Sequence, residues 1–376
     1  MAAMNYLTQC TFDFGALAQA PKILARMGVK RPFVVTDPGL KANGILDKLL
    51  AALGAPPAAI YADTPANPTE PACREAAALY RQSEADGLVA LGGGASMDLA
   101  KIVGLMTTHE APYDRYGASE RGTRFIKPIP PLLAIPTTAG TGSEVSVGAV
   151  VILDSGRKET FISPFLIPTQ ALCDPELTLG LPPSLTAATG MDAVTHCFEA
   201  VLSPMVHPPA EAIGLDGVER AIASGALERA VKDGSDRDAR WQMMMASFEG
   251  ALAFVKGLGA VHGLSHALGR LSDLKLHHGT LNAIILPHAL AMIGDAQAEK
   301  FARLRRAMGV APNTDLAEYI LALNARIGLP KSLSAIGVNE AHWPLAEAYA
   351  VSDLATATNA VPFDAAKYEE LFRRAL

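Results

Sequence analysis

Short apolar runs and helix-like runs alternate up to about residue 176, and after Pro182-Pro183 the alternation stops. The apolar runs 32–36, 58–61, 87–91, 132–135, 149–153 and 171–173 have strand length and strand composition. Between them, 40–53, 70–83 and 96–106 carry helical spacing. Strand and helix in turn imply a largely parallel sheet covered by helices. Beyond the prolines the chain is rich in Ala, Leu and Met and offers no strand. Ser184 is placed to cap a helix starting near Leu185, and 216–230, 239–255 and 298–308 read as bundle helices. The expected architecture is an α/β Rossmann-like domain, residues 1–180, followed by an all-α domain, residues 181–376, with a cleft between them.

Half of the 376 residues are hydrophobic, enough for two cores. A net charge of −6, with no run of Lys or Arg, argues against a nucleic-acid or anionic-membrane partner. The start, Met-Ala-Ala-Met-Asn-Tyr, lacks a basic segment followed by an apolar one, and no apolar stretch reaches membrane-spanning length. Cys10, Cys73, Cys173 and Cys197 are scattered without a Cys-x-x-Cys pair, which fits a reducing cytoplasm. Cys197 reads as a small buried residue.

The helical half holds acid and imidazole groups at ligand spacing. Asp192 and His196 are four apart, as are His262 and His266, so each pair shares a helix face. His277-His278-Gly279 follows. One carboxylate with imidazoles suits Fe²⁺ or Zn²⁺, whereas Ca²⁺ or Mg²⁺ would call for mostly oxygen ligands.

The other half holds phosphate chemistry. Leu88-Val89-Ala90-Leu91 runs into Gly92-Gly93-Gly94-Ala95-Ser96, a strand, a glycine turn and a helix with Ser96 as its expected N-cap. Glycines let backbone approach a phosphate, and the free amides of a helix start favour negative charge. The Gly-x-Gly-x-x-Gly fingerprint is absent, since Met97 stands where its last glycine would fall. Asp37, after the first strong strand, either binds an adenosine ribose, favouring NAD over NADP, or caps the next helix. The loop Pro136-Thr137-Thr138-Ala139-Gly140-Thr141-Gly142-Ser143-Glu144 follows a strand where open α/β sheets bind ligands.

Taken in order, 92–101, 136–144, 190–200, 261–269 and 278–287 resemble the iron-containing (group III) alcohol dehydrogenases. The resemblance spans nearly the whole chain. It implies their architecture, shared with dehydroquinate synthase, and a metal-dependent, NAD(H)-linked oxidoreductase. Such an enzyme interconverts a small alcohol, or a hydroxy acid, and its aldehyde or ketone, as a homodimer or larger homo-oligomer. Carried over by motif, Asp192, His196, His262 and His278 are the ligands of Fe²⁺, or else Zn²⁺. The same matching lays the pyrophosphate on Gly93, Gly94, Ala95 and Ser96 and sets Asp37 beside the ribose. Asn67, Thr137, Thr138, Leu177 and Lys158 then line the cofactor site, and His266 is a non-ligand group for proton transfer.

Two departures bear on the site. Relatives commonly carry Pro-His-Gly about ten residues after the His-x-x-x-His pair, whereas here Leu276-His277-His278-Gly279 comes twelve residues after it, so His277 competes with His278. Lys256 stands where many relatives have an uncharged polar residue. It either meets an anionic substrate or packs its stem and reaches water or an acid such as Glu249. Two rival activities share this architecture. The Asp at the first ligand position and the 136–144 loop argue against a dehydroquinate synthase-like lyase. The four intact ligand positions argue against a maleylacetate reductase-like enzyme, which works without the metal.

Overall fold

The computed structural model describes residues 8–271 and 274–376, apart from the side chain of Asp295. By its internal contacts the chain falls into two compact units, one of residues 8–138 and 142–178, the other of 139–141 and 179–376.

In the first unit six strands form one parallel sheet: β1 (Gln9–Phe12), β2 (Pro32–Val35), β3 (Ala59–Tyr61), β4 (Gly87–Gly92), β5 (Leu132–Pro136) and β8 (Gln170–Cys173). Their order is β1-β8-β5-β4-β2-β3, every neighbouring pair parallel. Side-chain alternation sorts each strand onto two buried faces. Phe33, Val35, Leu88, Ala90, Leu132 and Ala134 pack with Cys73, Ala76, Met97 and Leu99 from helices Glu70–Gln82 and Gly94–Thr108. Val34, Val89, Leu91, Leu133 and Ile135 pack with Ile23, Leu24, Leu46 and Leu49 from helices Ala20–Arg26 and Ile45–Leu53. A sheet covered on both faces explains why these strands read as continuous apolar runs.

Three expectations change. β1 is an edge strand with mixed burial and had no apolar run to announce it. The run 149–153 forms β6 (Gly148–Ile152), which pairs antiparallel with β7 (Lys158–Ile162) in a separate hairpin. The run 40–53 breaks into Pro38–Ala42 and Ile45–Leu53, because Gly44 takes φ 80°, a left-handed conformation that ends a helix.

The second unit is helical from Pro183 onward. Its long helix Pro183–Leu202 starts on the prolines themselves, with Pro182 as the cap residue and Pro183 at the first turn, so Ser184 lies inside and does not cap it. Around it pack Pro208–Val218, Arg237–Ala253 and His278–Ile293, with Ala260–Leu268 against the last of these. The expected helix 216–230 is instead the end of Pro208–Val218, a π-turn at Glu219–Ala223, and Ala226–Lys232. No single helix among the described residues is long and apolar enough to cross a membrane.

Candidate metal centre and nucleotide turn

Helix Pro183–Leu202 is buried from Thr186 to Leu202, so its face carrying Asp192, His196 and Glu199 points into protein. Spacings of four and three residues align these groups on one side of the helix. Helix Ala260–Leu268 supplies His262 and His266, and His278 opens helix His278–Ile293. The approach of this last helix depends on Gly279, where a Cβ would stand 2.1 Å from the Ala188 carbonyl oxygen. That contact explains why a glycine must follow His278.

The imidazole Nε2 atoms of His196, His262 and His278 lie 4.0, 3.9 and 3.6 Å from Asp192 Oδ1. Ligand atoms of Asp192, His196 and His262 are all within 4.8 Å of one another, with His278 at the rim of that group. The ring planes of His196 and His262 stack at 4.7 Å. Burial pushes the His262 pKa well below its ordinary value and keeps the ring neutral. Burial would raise Asp192, but the imidazoles around it and the Asn282 amide hold its carboxyl down to about 2. One carboxylate oxygen faced by three imidazole Nε2 atoms is a donor set of the kind that holds a divalent ion. His196 Nδ1 is buried without a hydrogen-bond partner among the described residues, which leaves this ring uncommitted. The residues present therefore fit a metal ion.

Two carboxylates aim the rings. His262 Nδ1 donates to Glu199 Oε2 at 2.5 Å, which leaves Nε2 as the lone-pair nitrogen. Glu199 in turn accepts from the Val261 amide at 2.8 Å. Burial lifts its pKa to about 7 against those backbone bonds. His266 Nδ1 donates to Asp353 Oδ2 at 3.0 Å, while Asp353 Oδ1 accepts from the Ala355 amide at 2.9 Å. The His266 ring stacks on His278 at 5.2 Å, so its free Nε2 edge belongs to the same cluster of rings. Asn282, one turn after His278, donates from Nδ2 to Asp192 Oδ1 at 2.7 Å and lies 3.1 Å from His278 Nε2.

His277 is exposed and makes no capping bond, whereas His278 faces Asp192. Lys256 is engaged elsewhere. Its ammonium donates to the carbonyls of Ala200, Val201 and Ser203 at 2.9, 3.0 and 2.9 Å and pairs with Glu211 at 2.8 Å. An ammonium has three donors, so none is left for a substrate anion, and of the two readings of Lys256 the geometry favours the lysine that reaches an acid. The acid it meets is Glu211. Glu249 is bound instead to Arg220.

In the first unit β2, β4 and β5 are neighbours, so Asp37, the Gly92–Ser96 turn and Thr137–Thr138 sit at the carboxyl ends of adjacent strands. The order reverses between β2 and β4, because β3 lies on one side of β2 and β4 on the other. Ligands of open α/β sheets bind at such a reversal. Helix Gly94–Thr108 is capped by Gly93, so Ser96 is a first-turn residue, contrary to the expected N-cap. Gly92 has φ 152°, and a Cβ there would stand 2.5 Å from Ser96 Oγ, so the serine folds over the glycine. The amides of Gly94, Ala95 and Ser96 open the helix and have no partner within it. Asp37 caps the helix Pro38–Ala42 through Oδ1, bonded to the Leu40 amide at 3.0 Å. Thr137 is buried and bonded by its amide to Gly92 O, and Thr138 Oγ1 stands over Gly93. Asn67 is exposed, Lys158 begins β7, and the Leu177 side chain is part of the core beneath the sheet. Asp98 and Lys101 tie helix Gly94–Thr108 to residues 143–150. Asp98 accepts from Ser143 Oγ and the Val150 amide, and the Lys101 ammonium binds Ser143 Oγ and the carbonyls of Ser146 and Gly148.

Glu199 and Asn282 escaped the sequence reading although both carry a signal, three residues after His196 and four after His278. Asp353 has none, standing 87 residues from its histidine.

Comparison with known proteins agrees with this geometry. Residues 8–175 match the family model for iron-containing alcohol dehydrogenase, and 186–376 the C-terminal model of the Fe-containing alcohol dehydrogenase family. A 4-hydroxybutyrate dehydrogenase of Cupriavidus necator is 47% identical over 100% of both chains. A 1,3-propanediol dehydrogenase of Klebsiella pneumoniae is 37% identical over 87% of this chain and 86% of its own. A crystal structure of 1,3-propanediol oxidoreductase superposes with TM-score 0.92 at 32% identity, covering 100% of both chains.

Proposed function

Because the chain belongs to the iron-containing alcohol dehydrogenase family, we propose that it interconverts a short ω-hydroxy acid and its semialdehyde with NAD(H). The observation that carries this reading is the convergence of His196, His262 and His278 on the buried Asp192 carboxylate from three helices. These four would hold a divalent ion, Fe²⁺ or Zn²⁺. A metal so held supplies Lewis acidity, polarising a carbonyl and favouring alkoxide over alcohol.

The chain's own residues do the rest. Glu199 fixes the His262 tautomer and ring angle, and Asn282 steadies Asp192. His266 is set to relay the alcohol proton at Nε2, because Asp353 holds the proton on Nδ1. Burial would raise the Asp353 pKa, but its imidazole partner and the Ala355 amide keep it below the usual carboxylate range. Asp353 therefore stays anionic and steadies an imidazolium. The Gly93–Ser96 amides take the cofactor pyrophosphate. The second oxygen of Asp37, the one not capping its helix, would accept from an adenosine ribose and disfavour a 2′-phosphate. Four free cysteines suit a cytoplasmic enzyme.

The reading is tested by NAD(H)- and NADP(H)-linked assays with 4-hydroxybutyrate, 1,4-butanediol and 1-butanol on protein reconstituted separately with Fe²⁺ and Zn²⁺. Metal-dependent NADH formation, fastest with the hydroxy acid, is expected. Equal rates without metal, or preference for NADP, would refute it.

A further inference from the structure

With Lys256 committed to a helix end, the cation that would meet a substrate carboxylate must lie elsewhere. Arg270 sits four residues past His266, and the chain reaches it through a tight turn in which its amide bonds to Ala267 O. His262, His266 and Arg270 thus follow one another at four-residue steps, the first inside helix Ala260–Leu268 and the second across the turn that ends it. The guanidinium lies 4.1 Å above the ring of Tyr349. Tyr349 is one turn before Asp353, the partner of His266, in helix Trp343–Ser352 and its cap. Two rungs therefore join the same two segments: His266 with Asp353, and Arg270 with Tyr349.

Arg270 is half-buried, yet its side chain has no hydrogen bond or ion pair among the described residues. The comparable half-buried arginines are all engaged: Arg220 with Asp216 and Glu249, Arg229 with Asp238, Arg303 with Glu211, and Arg305 with the Thr314 carbonyl. Stacking on an aromatic face fixes the plane of a guanidinium and leaves its N–H edges to point sideways. Such a fork matches a carboxylate with two parallel bonds.

We propose that Arg270 receives the carboxylate of the substrate, four residues past the proton-relaying His266, and so selects ω-hydroxy acids over neutral alcohols. This rests on the activity proposed above.

The test compares wild type, Arg270→Gln and Arg270→Lys, each metal-loaded. The kinetic readouts are KM and kcat for 4-hydroxybutyrate and for 1,4-butanediol, which is neutral and of similar length. Calorimetric binding of butyrate in the presence of NADH gives a readout independent of turnover, and metal content and melting temperature report folding. Arg270→Gln should raise KM for the hydroxy acid about 30-fold, as expected for a charge-assisted pair, and weaken butyrate binding comparably. The diol kcat/KM should stay within about threefold, with Arg270→Lys intermediate. If acid and diol suffer equally, or neither changes, the assignment is overturned. Butyrate binding to wild type that Arg270→Gln leaves unchanged overturns it as well, as does no binding to wild type. If wild type oxidises only the diol but binds butyrate through Arg270, the anion site stands and the hydroxy-acid activity falls.

Discussion

Lys256→Met separates a structural lysine from a substrate-binding one. Lys256 is 2% exposed, and its ammonium holds the last carbonyls of helix Pro183–Leu202. Burial draws its pKa down to about 8, which leaves the group mostly charged at neutral pH. Methionine fills similar volume but donates nothing. Ser203 O would keep Lys300, whose ammonium also reaches it, and Glu211 would keep Arg303. The net loss is therefore the partners of Ala200 O and Val201 O. Two buried carbonyls left without a donor cost about 1–3 kcal/mol each. Added apolar burial by methionine offsets part of this, so about 3 kcal/mol is expected. In a helical unit of about 200 residues that lowers the melting temperature by about 6–12 °C if the unit melts as one transition. Thermal and urea melts should show this loss, with KM for a hydroxy acid and for a diol changing by the same small factor. A melt within about 2 °C of wild type, with a rise in KM confined to the acid, would refute the reasoning and return Lys256 to the substrate.

Other outcomes follow from the same geometry. His278→Ala should remove bound metal and most activity while His277→Ala retains both, as read by metal analysis; the reverse would make His277 the ligand. Glu199→Gln, which keeps shape but loses the anion aiming His262, should weaken metal affinity about 10–100-fold in chelator competition; unchanged affinity would leave Glu199 a packing residue. Glu144 is buried, and that burial raises its pKa to about 7 against its own amide and Lys101. The folded state thus holds a proton that the unfolded chain releases near 4.5, so this contribution to stability is full below 4.5 and fades as pH rises through about 7. Between pH 5 and 8 the wild type should lose up to about 2 kcal/mol that Glu144→Gln does not, in urea titrations at both pH values; parallel slopes would show that Glu144 is not the titrating group.

The residues themselves determined the layered sheet and the helical half. Strands apolar on both faces must be covered twice, and Pro182-Pro183 starts a helix wherever the chain goes next. The spacing of Asp192 and His196, and of His262 and His266, was legible for the same local reason: four residues on a helix is a statement about one face. Gly279 marked the helix start after His278 because its missing side chain is what lets that helix touch Ala188. Distances between elements were invisible in the chain order. Asp353 reaches His266 from 87 residues away, Lys256 finds the end of a helix 53 or more residues earlier, and Tyr349 holds Arg270 from another helix. Ser96 and Ser184 misled as caps because a glycine and a proline beside them opened those helices first. Local periodicity can announce which side chains share a face. Which buried charge finds which partner depends on how the helices pack, and only the tertiary structure decided that.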